Sequence, residues 1–299
     1  MAKYQIFSDS SCDLSTAIRK ENNIDYLHFG IVVDGVEKQA DLDWIEYTPE
    51  EFYGWLKEGK KVKTTQVSLG ECLDKCRPYL EKGIDIIYLG CSGALTGSVN
   101  FFEQIAKQQL LEEFPDRKII GIDTLTASCT LGMLVIDAAK QRDNGATIEE
   151  LEKWVYDHRF FYNQWATVDT LKYLREAGRV KAGAAFFGDI IGVKPVFISD
   201  RKGNNLAIIK ERGSKKALLA LIEGVRNSIH KDECDTVFIG QGDNQEGADF
   251  LEKKLVEEFG VKVVRQWIGP IVGTSCGPGV IATFCYGEEV TRYEGDGIK

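Results

Sequence analysis

The chain has only three histidines in 299 residues, His28, His158 and His230. None shares a metal-ligand spacing with a cysteine or another histidine, so neither a metal nor any other cofactor is expected. Eight cysteines are present, but no two form a CxxC pair, which removes the usual redox and zinc signatures. Excess positive charge is also missing, since 37 Lys and Arg stand against 46 Asp and Glu for a formal net charge of −9. Nucleic acid or an anionic membrane surface would demand a basic patch, so neither is expected as the main partner. No apolar run approaches the length of a membrane span, and integral membrane association is not expected. The opening "MAKYQIFSDSSCD" passes from a short alternating strand into a polar turn, without the cationic region, apolar stretch and cleavage site of a secretory signal. A cytoplasmic protein with reduced cysteines is the expectation.

What is present has the composition of a globular protein, and its length suits two domains with a shared cleft. Strand and helix signals alternate from end to end, which predicts an α/β protein with largely parallel sheets flanked by helices. The division expected is an N-terminal α/β domain over 1–160 and a C-terminal α/β domain over 161–299. "YQIF" (4–7), "IDIIYLGC" (84–91) and "KIIGID" (118–123) read as strands of the first unit. Asp13 or Ser15 is the candidate cap of the helix after the first strand. In "TPEEFYGWLKEG" (48–59) Thr48, Pro49 and Glu51 make a capping box with proline at the first helical position. "IEELEKWVYDHR" (148–159) reads as a polar helix joining the halves. "KPVFISDRKGNNLAIIKE" (194–211) reads as a hairpin around a Gly/Asn turn. Helices near 215–229 and 246–259 flank the strand "TVFIGQG" (236–242), and two more strands, 261–269 and 280–287, surround "GPIVGTSCGPGV" (269–280).

That last segment contains Gly-x-Ser-x-Gly, the pattern of a nucleophile elbow. An elbow needs a helix after the serine and an acid and a histidine later in the chain. Here Gly277, Pro278 and Gly279 lead into a β-branched and aromatic segment, and no histidine follows His230. A tight turn between strands is the plain reading, and Cys276 would need a base as much as Ser275 would. Two other segments carry the same glycine and hydroxyl chemistry. "KTTQVS" (63–68) presents Thr64 and Thr65 before a helix, and "CSGALTGS" (91–98) presents Ser92, Thr96 and Ser98 at a helix start. Free backbone N–H groups and hydroxyls in such places suit a carboxylate or phosphate, although each hydroxyl taken alone is more often a helix cap than a ligand contact.

Together these segments resemble the DegV family of fatty-acid-binding proteins that serve a bacterial fatty acid kinase. "SDSSCDLS" (8–15), "TTQVS" (64–68), "CSGALTGS" (91–98), "DTLTAS" (123–128), "LKYLREAGRV" (171–180), "KPVFISDRKGN" (194–204) and "GPIVGTSCGPG" (269–279) follow the family order along nearly the whole chain. The resemblance implies two α/β domains clasping one long-chain fatty acid, carboxylate in polar interdomain loops and acyl tail buried. It places Thr64 on the carboxylate. The second hydroxyl falls on Ser92 or Thr96, Ser92 being preferred, with Gly93 in the same loop and Thr274 and Ser275 in the C-terminal loop. Arg179 matches an arginine engaged with the kinase or the phosphoryl step, although by position it is also a plain helix-closing arginine. Val67 and Cys91 replace a family proline and serine. Ser275 stands where the family has a histidine, and serine can donate a hydrogen bond but carries no positive charge.

The expected function is therefore a non-catalytic subunit that binds a long-chain fatty acid and presents it to a fatty acid kinase for acyl phosphate formation. Burial of about a dozen methylenes at ~0.8 kcal/mol each supplies on the order of 10 kcal/mol before association costs. Two alternatives stand beside it. One is a lipid or amphiphile carrier without kinase coupling, prompted by Ser275, and the other is a hydrolase or acyltransferase using Ser275 or Cys276.

Overall fold

The computed structural model describes residues 4–181 and 192–293. Strands β1 (Tyr4–Asp9), β2 (Ile24–Leu27), β3 (Gly30–Val33), β4 (Val36–Gln39), β5 (Val62–Thr65), β6 (Asp85–Gly90) and β7 (Ile119–Asp123) make two small sheets. Strands β8 (Tyr162–Thr167), β9 (Val180–Lys181), β10 (Val193–Ser199), β11 (Asn205–Arg212), β12 (Thr236–Gln241), β13 (Lys262–Trp267) and β14 (Ile281–Tyr286) make a third. Their orders are β2-β1-β6-β7, β4-β3-β5 and β13-β12-β14-β8-β10-β11-β9.

The α/β class expected from the sequence is what the chain forms, but the sheets differ in kind. In the four-stranded sheet every pairing is parallel. All six residues of β1 and five of six in β6 are buried, as a strand covered on both faces requires. In the seven-stranded sheet only β12–β13 and β11–β9 run parallel, and the other pairings are antiparallel. A tight turn joins β10 to β11, and parallel neighbours would need a crossover of roughly a dozen residues or more.

The helix Ser128–Asp143 packs on β1, β2 and β6 with one side and on β8, β12 and β14 with the other. Its residues from Ser128 to Val135 are all buried, because a helix between two sheets has no solvent face to keep polar. The expected helices and the hairpin occur at Pro49–Lys57, Ile148–His158, Ser214–Ser228, Gln245–Phe259 and β10–β11. Thr48 accepts from the Glu51 N–H at 3.1 Å while Glu51 accepts from the Thr48 N–H at 2.7 Å, completing the capping box. Ser15 holds the cap position before Thr16–Glu21 without a side-chain bond. Among the described residues no helix is long and apolar enough to cross a membrane.

Candidate ligand-binding site

A cavity of about 260 Å³ lies between the seven-stranded sheet on one side and, on the other, strand β5 with the loops that follow β1, β2 and β6. The inner face of the large sheet supplies Ala166, Phe197, Ala282 and Phe284, and Phe29, Ile268, Ile271 and Val272 close the apolar wall from other elements. Thr64, Thr96, Ser275 and Arg179 add a polar rim. The cavity thus has the two chemistries an amphiphile needs.

The sequence-predicted residues do not all reach it. Thr64 does, from β5, where it pairs with Ile31 on the edge of the antiparallel sheet; the sequence alone left it in a loop before a helix. Thr96 reaches it as well, its Oγ1 3.0 Å from Ser98 Oγ and accepting from the Ser98 N–H at 3.3 Å. Ser92 is fully buried outside the lining, donating to the Gly203 carbonyl at 2.8 Å and accepting from the Ala94 N–H at 3.2 Å. Gly93 also stays outside, its N–H held by Asp123 Oδ2 at 3.1 Å. Ser92 and Gly93 fasten the loop that carries Thr96. Thr274 donates to the Pro270 carbonyl at 2.7 Å and faces an adjoining groove.

The loops are held by two buried aspartates from the opening motif. Asp9 Oδ1 accepts from the Ser11 N–H and hydroxyl at 2.9 and 2.6 Å, and Oδ2 accepts from Tyr88 and the Cys91 N–H, both at 2.8 Å. Asp13 Oδ1 accepts from the Gly269 N–H at 2.8 Å and Oδ2 from the Ser128 hydroxyl at 2.5 Å. Burial raises the pKa of both, that of Asp13 to about 7. The two carboxylates therefore tie the end of β1 to the Cys91 loop, the sandwiched helix and the C-terminal segment.

That C-terminal segment is not the tight turn read from the sequence. Pro270–Cys276 is a short helix with proline in its first turn, and Ser275 lies near its end. Glycine-rich sequence is a poor helix former, but Pro270, Gly273 and Cys276 are buried, and the packing on Tyr53 and Phe52 decides the outcome. Gly277 ends it at φ 77° with the Tyr173 ring against its Cα. Among the described residues the cavity lining has no histidine and no carboxylate; Glu176 lines the adjoining groove that Ser275 also reaches, and a serine nucleophile needs a base in hydrogen-bond reach. Burial pushes the Cys276 thiol up to about 12, with the nearby Asp13 adding to it, which leaves it a poor nucleophile.

Sequence reading missed a feature beside the cavity. An adjoining groove is lined by Lys60, Lys61, Lys63 and Lys172 and shares Thr64, Arg179 and Ser275 with the cavity. The run "KEGKKVK" (57–63) is the signal that could have found it in a chain of net charge −9. Arg179 stands where the two spaces meet, its Nε donating to the Leu95 carbonyl at 2.8 Å.

Residues 3–288 match the model of the DegV family, which is described as one of uncharacterised proteins. A DegV domain-containing protein of Clostridium perfringens is 33% identical over 289 residues, 96% of this chain and 99% of that protein. A solved DegV family protein from Thermus thermophilus, described by its fatty acid binding, superimposes with a TM-score of 0.83 at 25% identity, covering 96% of this chain and all of that one. A DegV lipid-binding protein from Thermotoga maritima does so with a TM-score of 0.80 at 26% identity, covering 97% of this chain and all of that one.

Proposed function

The chain belongs to the DegV family, and from that premise we propose that it binds one long-chain fatty acid in the cavity between its sheets. In this reading residues 1–160 and 161–299 act as two domains closing on the ligand. The carboxylate lies among Thr64, Thr96 and Ser275, and the tail lies along the apolar wall. The observation that carries the reading is this one cavity with a hydroxyl rim and an apolar interior, in a family whose Thermus thermophilus and Thermotoga maritima members are described as fatty-acid-binding and lipid-binding.

The finer part of the proposal is that the protein is not itself an enzyme and presents the carboxylate to a separate fatty acid kinase. Its support is the lysine-lined groove that meets the rim at Thr64, Arg179 and Ser275. Such a groove favours an anionic group, as a phosphoryl donor or an acyl phosphate would be. The reading places the protein in the cytoplasm, where its eight free and buried cysteines remain thiols. A carrier role without a kinase is the second reading, favoured by a serine at 275 that carries no charge.

Native mass spectrometry before and after denaturation, with solvent extraction of the released lipid, tests the binding. A stoichiometric fatty acid supports it. A protein that arrives empty and takes up no added fatty acid overturns it. Incubation of the loaded protein with ATP and a bacterial fatty acid kinase separates the two readings, acyl phosphate appearing only in the first.

A further inference from the structure

Strand β8 runs through the interior of the large sheet, yet its sequence YNQWAT is half polar. Gln164 lies two residues from Ala166, so both project from the same face of the strand, and both line the cavity. Gln164 is only 6% exposed. Its Nε2 donates to Asn205 Oδ1 at 2.9 Å, and Asn205 Nδ2 donates to the Arg179 carbonyl at 3.2 Å. Asn205 lines the cavity as well. The Gln164 amide oxygen accepts no hydrogen bond from any described residue and is not among the side-chain atoms sealed from solvent without a partner, so one polar atom of a cavity-lining residue has capacity to spare.

An unsubstituted acyl chain laid over this amide would strip it of water and offer nothing in exchange, an unfavourable arrangement for a buried polar atom. Apolar side chains would have served a plain fatty acid better, as Phe284 does in the register position directly opposite Gln164 on β14. We propose that the preferred ligand is a fatty acid whose chain carries a hydroxyl, bonded to the Gln164–Asn205 amide pair. This rests on the fatty acid reading above and adds the class of chain. A hydroxyl both donates and accepts, so it satisfies the pair whichever amide atom of Gln164 faces the cavity. A carbonyl or a double bond in the chain lacks that freedom, since the first only accepts and the second does neither.

The test is displacement of a fluorescent fatty acid by octadecanoic acid and by a series of its monohydroxy positional isomers, on the wild-type protein and on Gln164→Leu. At least one isomer is expected to bind on the order of tenfold more tightly than octadecanoic acid, the value of one well-made buried hydrogen bond. The variant is expected to lose that preference and to hold octadecanoic acid at least as well as the wild type. Wild-type protein that binds octadecanoic acid as tightly as every isomer overturns the inference alone, and it does so without need of the variant. Equal loss of affinity for all ligands in Gln164→Leu also overturns it, by assigning the amide to the carboxylate. Failure of every fatty acid to bind overturns both this inference and the reading beneath it.

Discussion

Asp13 accepts the Gly269 N–H at 2.8 Å across 256 residues of chain. A Cβ on residue 269 would sit 2.7 Å from that Asp13 oxygen, so only glycine permits the approach. Burial raises the Asp13 pKa from 3.8 to about 7, so the fold favours the neutral acid. Between those values the folded protein binds more protons than the unfolded chain. The stability linked to this group is complete below pH 3.8 and is lost as pH rises to about 7. Asp13→Asn removes the titration while keeping an acceptor for Gly269 and suiting the positive φ of 50°. Urea unfolding across this range is expected to give the variant a flatter profile, by up to about 1.4 kcal/mol per pH unit. Asp9, also raised by burial, leaves a residual slope. Parallel profiles would mean that Asp13 titrates normally.

Ser92 and Thr96 have different surroundings and are expected to fail differently. Ser92→Ala strands the Gly203 carbonyl and the Ala94 N–H, lowering stability by about 1 to 3 kcal/mol with fatty acid affinity nearly unchanged. Thr96→Val also removes the acceptor of the Ser98 N–H, and it is expected to weaken binding by roughly tenfold together with a stability loss of about 1 kcal/mol. Denaturation and ligand displacement on the same two variants check this, and the reverse pattern would return the carboxylate to Ser92.

Ser275→His introduces a chargeable donor at the polar rim. Fatty acid affinity is expected to rise by roughly ten- to a hundredfold where the imidazole is protonated. The gain is expected to shrink between pH 6 and pH 8, across the ordinary histidine range. An unchanged Kd at both pH values would place the carboxylate elsewhere.

Arg179→Ala separates binding from phosphoryl transfer. Fatty acid is expected to remain bound, while acyl phosphate formation by a kinase falls on the order of a hundredfold, the usual cost of one charge-stabilising donor. Equal turnover in the wild type and the variant would remove Arg179 from the step.

Gly277→Ala probes the turn after the Ser275 helix. The backbone there has φ 77° and the Tyr173 ring occupies the space a Cβ would take. A loss of about 2 kcal/mol or more is expected in urea unfolding. A variant as stable as the wild type would mean that Tyr173 swings aside freely.

The sequence by itself determined the α/β class, the order of most helices, the β10–β11 hairpin and the family. Each is written in local signals, such as the Thr48–Glu51 capping box, the apolar runs of β1 and β6, and motifs in a fixed order. It did not disclose β8, because Asn163 and Gln164 contradict the apolar reading of an interior strand and are tolerated only through partners far along the chain. Nor did it disclose the antiparallel edge that carries Thr64, since β4 and β5 are largely exposed and short. Which hydroxyls meet at the rim was likewise beyond it. Ser92 and Thr96 look alike in sequence, and only the arrival of the β10–β11 turn at Ser92 keeps that hydroxyl off the cavity, while Thr96, bonded to Ser98, stays in its lining. Local propensity fixes elements within a few residues of themselves; the site joins residues up to 256 positions apart, and only packing between sheets sets which of them meet.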